Sequence, residues 1–319
     1  MLYDLIIIGG GPAAMSAAIY ASRKKLKTLL LAEELGGQMI EGYMIENYLG
    51  IPQIPGIELA EKFIKHLKNF DKKLNPGNYD LEIKEGGVVL KIEKKGDNFL
   101  AQTEKNHYEG RSLIIATGKR QRVLDVPGAK QFEGKGITYC ATCDAPLFRD
   151  KITAVIGAGD SGQDTAWQLT QYAKKVYIIN KYPDLRGSNV ILKEKIKTAD
   201  KGKLEIINNV LPKEIKGDKF VQKLVYFNSE TQEEKEIEVD GIFVEIGSMP
   251  ATDFLNGLIE LNAKSEIIIN PKTNAASAAG IFAAGDATDI PFKQIIIAAG
   301  EGAKAALSAY EYLKNKKYD

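Results

Sequence analysis

The sequence predicts an α/β fold built on two parallel βαβ units, and three observations carry that expectation. Two glycine-rich turns, Gly9-Gly10-Gly11-Pro12-Ala13-Ala14 and Gly157-Ala158-Gly159-Asp160-Ser161-Gly162, each follow a short apolar run and open a helical stretch. Each helical stretch is followed by a second apolar run, as a parallel crossover requires. The length, 319 residues, exceeds one ordinary domain of roughly 100–200 residues.

Taken in order, residues 5–8 read as a fully apolar strand, residues 15–22 as a helix, and residues 27–32 as a second strand ending at Glu33. Residues 88–93 and 99–103 flank turn residues as hairpin strands do, and residues 113–116 form a buried strand ending in Thr117-Gly118. The second unit comprises a strand at 152–156, a helix at 163–172 and a strand at 175–179. Strands are expected next at 204–208, 224–228, 236–239 and 242–246, the last ending in Gly247. Ile281-Phe282-Ala283-Ala284-Gly285-Asp286 opens the final segment, with a helix from about 294 to 313 and a lysine-rich tail expected to fray in solvent. Strand-Thr-Gly and strand-Gly thus occupy equivalent places in the two halves, as duplicated Rossmann-like, three-layer domains would give.

Composition narrows the function. Lys and Arg total 43 against 42 Asp and Glu, so no overall charge draws the chain to nucleic acid or an anionic membrane. Hydrophobic residues at 44% and charged residues at 27% are ordinary for globular proteins, which excludes disordered, collagen-like and disulfide-scaffold classes. No run of about 18 apolar residues predicts a membrane helix. Met1-Leu2-Tyr3-Asp4 leads straight into a strand, so no signal peptide and a cytoplasmic, reducing location are expected. There a CxxC serves redox chemistry or metal binding rather than structural stapling.

Gly9 permits the tight turn, Gly11 lets the backbone approach a pyrophosphate, and Ala14 allows close helix–strand packing. Phosphates would lie at the helix N-terminus, with Glu33 accepting from ribose hydroxyls and Glu34 as its neighbouring competitor. Gly157, Gly159 and Gly162 repeat the full pattern, implying a second nucleotide. The only cysteines, Cys140 and Cys143, stand three apart directly before it, a spacing suited to thiol–disulfide exchange. Zinc would need two further ligands, and His66 and His107 lie in unrelated segments, so no metal is expected. Both histidines read as surface or loop residues and Trp167 as core.

With Gly36-Gly37-Gln38-Met39, Glu46-Asn47-Tyr48-Leu49-Gly50, Ala116-Thr117-Gly118, Cys140-Ala141-Thr142-Cys143-Asp144, Gly280 to Asp286 and Lys293-Gln294-Ile295, the chain resembles the low-molecular-weight thioredoxin reductase family over essentially its whole length. The resemblance implies two Rossmann-like nucleotide-binding domains, the second inserted into the first. Residues 1–118 and 248–319 would form a discontinuous FAD domain, and residues 119–247 an NAD(P)-binding-like domain carrying the CxxC. It places Gly9, Gly11, Pro12, Ala13, Ala14, Glu33, Gly37, Gln38, Asn47, Thr117, Gly118, Gly285, Asp286, Lys293, Gln294 and Ile295 at FAD, with Asp286 near the ribityl or pyrophosphate portion and Gln294 near the flavin ring. Gly157, Gly159, Asp160, Ser161, Gly162, Lys181 and Arg186 fall at the nicotinamide nucleotide. Cys140 and Cys143 become the redox pair, with Cys143 nearer the flavin and Asp144 the acid–base group.

The implied reaction passes electrons from NADPH, or another donor, through FAD and the Cys140–Cys143 disulfide to a thioredoxin-like or glutaredoxin-like protein. A homodimer is implied too, as is rotation of one domain against the other about crossings near 118–122 and 247–250. NADPH-using members carry a His-Arg-Arg stretch and a further arginine after the second strand of this unit. Here the stretch is Asn180-Lys181-Tyr182-Pro183-Asp184-Leu185-Arg186, which keeps two cations but has no acidic residue at 180 for the ribose of NADH. Residues 143–149 and 291–297 also resemble the reductase portion of the NADH-using alkyl hydroperoxide reductase flavoprotein, with electrons expected to leave on a separate carrier. Ferredoxin-dependent relatives lack the arginine cluster as well. A flavin- and thiol-based redox sensor without turnover is the remaining alternative.

Overall fold

The computed structural model describes residues 1–41, 44–187 and 189–316. The chain separates into two compact units, Met1–Arg120 with Met249–Asp319, and Gln121–Ser248. No helix among the described residues is long and apolar enough to cross a membrane.

In the first unit the strand Leu2–Ile8 pairs in parallel with Thr28–Leu31 on one side and His107–Ile115 on the other. Leu5, Ile6, Ile7 and Ile8 are all buried, the mark of a parallel strand covered on both faces. Leu81–Lys84 extends the sheet beyond Thr28–Leu31, and the antiparallel hairpin Val89–Lys95 and Asn98–Thr103 extends it beyond His107–Ile115, beside which Ile281–Ala283 also pairs. Leu5 and Ile7 face one apolar cluster together with the helices Pro12–Arg23, Gly56–Lys68 and Ile295–Lys316. Ile6 and Ile8 face the other, built with Phe99, Leu255 and Ile267. The alternation of a strand along its length therefore sorts adjacent residues into two cores.

Pro at the first helical position of Pro12–Arg23 suits an N–H that would have no intrahelical acceptor. The helix Ile295–Lys316 lies so close to it that a Cβ on Gly302 would sit 2.0 Å from the Ala13 carbonyl oxygen. The expected frayed tail after Leu313 is instead helical to Lys316, whose ammonium lies 3.4 Å from Asp97 and over the Tyr312 ring. The rest of that tail, residues 317–319, lies outside the described residues.

Parallel strands in the second unit run in the order Leu204–Ile207, Lys175–Ile179, Ile152–Ile156, Gly241–Val244 and Ile137–Thr138, with a separate antiparallel sheet of Val210–Gly217, Val221–Asn228 and Glu234–Glu238. The helix expected at 163–172 begins earlier, as Asp160–Leu169, because Gly159 already serves as its N-cap. Thr170, Gln171 and Tyr172 close it with i→i−3 turns onto Trp167, Gln168 and Leu169. Trp167 is half-buried on the apolar cluster with the Lys195 ammonium over its ring, while His66 and His107 are exposed.

Glu82, on the strand Leu81–Lys84, illustrates pH-linked stability. Burial alone would push its carboxyl up. Hydrogen bonds and charge from Lys72, the Tyr3 hydroxyl and Lys84 outweigh that and hold it at about 2 against an ordinary 4.5. A carboxyl lowered on folding stabilises the protein above its unfolded pKa, and that stability is lost as pH falls from about 4.5 toward 2. Its side chain is only 15% exposed, so Glu82→Gln is expected to cost roughly 2–3 kcal/mol at neutral pH. The cost should shrink in acid; urea melts at pH 7 and pH 3 with equal losses would refute this.

Candidate functional site

The two glycine turns are built alike down to single hydrogen bonds. In the first unit the Gly9 N–H donates to Leu31 and the Ala116 N–H to Ile8; in the second, the Gly157 N–H donates to Ile179 and the Glu245 N–H to Ile156. A Cβ on Gly9 would stand 2.1 Å from the Ala116 oxygen, and one on Gly157 would stand 2.0 Å from the Glu245 oxygen, each with φ well into the positive range at +128° and +117°. Only glycine supplies that conformation at that approach. The middle glycines behave oppositely. A Cβ on Gly159 would meet nothing within 4 Å, and one on Gly11 only the Gly37 Cα at 4.0 Å. The space beside each is open at the N-terminus of a helix, where first-turn N–H groups are unpaired.

Around the first turn, Gly36 donates to the Gly10 carbonyl, and Gly37 brings its backbone against Gly11. Ala14 is buried against the sheet, and Ala13 packs beneath Gly285 and Gly302. Pro12, Glu33, Gly37 and Gln38 rim the open side, with the Glu33 and Gln38 side chains exposed and Glu33 at the tip of the second strand. The Thr117 hydroxyl, next to Gly118, donates to the Ala251 carbonyl at 2.8 Å. Two expected residues far apart in the chain meet directly: the Asn47 Nδ2 donates to the Gln294 Oε1 at 2.9 Å, just before Ile295 begins the last helix.

Asp286, after Gly285, is half-buried and its carboxylate has no hydrogen bond among the described residues; burial pushes it up, and Lys293 and Lys119 oppose this. Such a carboxylate is suited to accept from a ligand hydroxyl. An open cradle at Gly11 and an acceptor at Asp286 within one unit fit a dinucleotide. Sequence reasoning missed a neighbouring ion cluster. Glu266 stands 3.6 Å from Lys119 and 3.4 Å from Lys293, and the Lys293 ammonium donates to the Thr288 carbonyl. Burial pushes Lys293 down despite Glu266. Burial would raise Glu266, but Asn262 and the two lysines hold it below the usual carboxylate range.

Beside the second turn, Gly162 lies so near Gly157 that a Cβ would be 2.2 Å from the Gly157 oxygen. Ser161 is exposed, and Asp160 accepts from the Asn189 N–H at 3.0 Å. The Arg186 N–H donates to Ala158 at 3.2 Å, and the Gln163 amide donates to both Ala158 and Arg186 carbonyls, which clips the loop carrying Arg186 to the turn. The Arg186 guanidinium stacks 3.4 Å from the centre of the Tyr182 ring, and the Lys181 ammonium stands 4.9 Å from it. Lys181, then Arg186, draws the Tyr182 hydroxyl below its ordinary value. Asn180 is buried, with Oδ1 accepting from the Tyr182 N–H and Nδ2 donating to Asn208.

Cys140 and Cys143 form a disulfide with Cα atoms 5.4 Å apart. Cys140 caps the short helix Ala141–Asp144, its sulfur accepting from the Cys143 N–H at 3.2 Å, and the Asp144 N–H donates to the Cys140 carbonyl at 3.2 Å. Thr138, absent from the sequence reading, donates its hydroxyl to Asp144 and accepts from the Cys140 N–H at 3.2 Å. Dithiol, carboxylate and hydroxyl therefore share one turn, an arrangement able to exchange disulfides and move a proton.

Residues 3–306 match the family model described as pyridine nucleotide-disulphide oxidoreductase. A protein named NADH dehydrogenase from Bacillus subtilis is 38% identical over 98% of this chain and 58% of its own length. The flavoprotein component of the alkyl hydroperoxide reductase of Escherichia coli is 38% identical over 99% of this chain and 59% of its own. The chain thus spans less than three fifths of either curated relative. Among solved structures, Lactococcus lactis thioredoxin reductase in its FR conformation matches with a TM-score of 0.89 and 37% identity, covering 98% of this chain and 99% of that one.

Proposed function

The chain belongs to the pyridine nucleotide-disulphide oxidoreductase family, and on that premise we propose that it is an FAD-dependent protein-disulfide reductase acting on a thioredoxin-like partner. The observation that carries this is the Cys140–Cys143 disulfide set beside Asp144 in a unit with its own dinucleotide turn. The open backbone at Gly11, the first-turn N–H groups of Ala13 and Ala14, Glu33, Asp286 and the Asn47–Gln294 pair would hold FAD. When bound, FAD takes a hydride from reduced pyridine nucleotide and returns the electron pair to a disulfide.

The chain's own groups then carry the exchange. One cysteine thiolate attacks the partner's disulfide, forming a mixed disulfide and expelling a partner thiolate, to which Asp144 supplies a proton. The other cysteine thiolate attacks the mixed disulfide. The partner leaves as a dithiol, two electrons richer, and the Cys140–Cys143 bond is restored. The Cys143 N–H on the Cys140 sulfur favours the charged form of that thiol.

NADPH is the donor that the second unit suits best. Its 2′-phosphate would meet the two cations flanking Tyr182, whereas Asn180, where a ribose-binding carboxylate would stand, has its carboxamide already engaged. Anaerobic mixing with NADPH, NADH or reduced ferredoxin, followed by flavin bleaching and then thioredoxin reduction, tests both readings. NADPH should act fastest, and Arg186→Ala should raise its KM about 10- to 100-fold with little change in kcat, the loss of one charged hydrogen bond. Faster bleaching by NADH or ferredoxin would reject the donor, and absence of disulfide turnover with every donor and carrier would reject the function.

A further inference from the structure

We propose that Thr138 is a positioning residue of the dithiol centre, holding the Asp144 carboxylate for proton transfer. The inference rests on the reading of Asp144 as the acid–base group and goes beyond it. Thr138 ends the strand Ile137–Thr138, where it pairs in parallel with Phe243 of the central sheet, so its backbone is anchored in the core. Ile137 beneath it is buried, and Phe243 is buried completely. The side chain projects from this anchor into the turn that follows.

A threonine hydroxyl has one proton to donate and lone pairs to accept with. Here the proton goes to the Asp144 Oδ2, and a lone pair receives the Cys140 N–H at 3.2 Å. The Asp144 N–H in turn reaches the Cys140 carbonyl at 3.2 Å. Thr138 is thereby the link between the sheet, the first cysteine and the carboxylate. Its hydrogen bond orients Asp144 through one oxygen and leaves Oδ1 for the transferable proton. In the exchange, that proton passes to the sulfur expelled from the partner's disulfide while the cysteine sulfur takes its place. The electrons come from the reduced nucleotide of the proposed reaction. Without the hydroxyl, Asp144 rotates freely about its side-chain bonds and is aligned in only a fraction of encounters.

Thr138→Val keeps the shape and removes the hydroxyl, whereas Thr138→Ser keeps the hydroxyl. With the FAD-loaded enzyme and thioredoxin disulfide, Thr138→Val is expected to lower kcat about 10- to 100-fold, the range for a hydrogen bond to a charged group. The KM for thioredoxin and the bound FAD should stay unchanged, and Thr138→Ser should recover most of the rate. Added to Asp144→Asn, Thr138→Val should cause no further loss, because both changes remove one pathway. Multiplicative losses in the double variant, or failure of serine to rescue, would overturn the proposal. A slow Asp144→Asn beside a fully active Thr138→Val would overturn it alone, while a fully active Asp144→Asn would remove the underlying acid–base reading with it. Should the valine variant fail to fold, Thr138→Ala carries the same comparison.

Discussion

Cys143→Ser is expected to abolish steady reduction of a protein disulfide, a loss of about a thousandfold or more, while the protein still binds FAD. Cys140 and Cys143 are the only cysteines in 319 residues, so no neighbouring thiol can substitute. A serine hydroxyl is not appreciably ionised near neutrality and forms no S–S bond, so both halves of the exchange fail together. The first glycine cradle and the Asn47–Gln294 bond belong to the other compact unit, which is why the flavin should remain. Assay of disulfide turnover beside the flavin absorbance of the purified variant checks both statements. Turnover at the parental rate would end the relay reading, and a flavin-free product would show that the serine disturbs more than the redox pair.

Gly9→Ala is the second large effect, this time on stability. The new Cβ would stand 2.1 Å from the Ala116 oxygen at a φ of +128°, so the clash is with backbone fixed by the Ala116 N–H to Ile8 bond. Neither partner can yield without opening the central sheet. Strain at a special φ plus overpacking puts the cost at about 3 kcal/mol or more. In a unit of this size that lowers Tm by roughly 6–12 °C. Gly11→Ala is the informative contrast, because its Cβ meets only the Gly37 Cα at 4.0 Å. That variant should melt near the parental temperature in the apo form yet bind FAD more weakly, since the methyl enters the space a pyrophosphate would use. Thermal melts of the apo proteins with FAD titrations separate the cases. A Gly9→Ala protein with unchanged Tm, or a Gly11→Ala protein with unchanged FAD affinity, would contradict the argument.

The contrast also explains which parts of the protein were legible in one dimension. The strands Ile152–Ile156 and Lys175–Ile179 appear with the limits expected from their apolar runs, because a strand buried on both faces has no polar position to blur its edges. Gly9 and Gly157 were readable because a turn between a strand and a helix is a local event, set by the backbone freedom of one residue. Elements without such a local signal were missed. The helix Gly56–Lys68 buries only Gly56, Leu59, Ala60 and Leu67, and Val190–Thr198 only Leu192 and Ile196, so little of either reads as a core element. The strand Val210–Gly217 contains a proline and register shifts that hide its alternation.

By itself, the sequence determined the α/β class, the duplicated glycine turns and the single dithiol, all written in stretches of a dozen residues or fewer where sterics and hydrophobic burial act on neighbours. The tertiary structure alone decided which distant side chains share a site. Asn47 meets Gln294, Lys119 and Lys293 share Glu266, and Arg186 is clipped to the second turn through Gln163. Even Thr138, six residues from Asp144, gains its partner only because a sheet holds the strand and a short helix turns the carboxylate back. Hydrogen bonds and ion pairs act over a few ångströms in space, and spacing along the chain carries no record of that distance until the fold closes it.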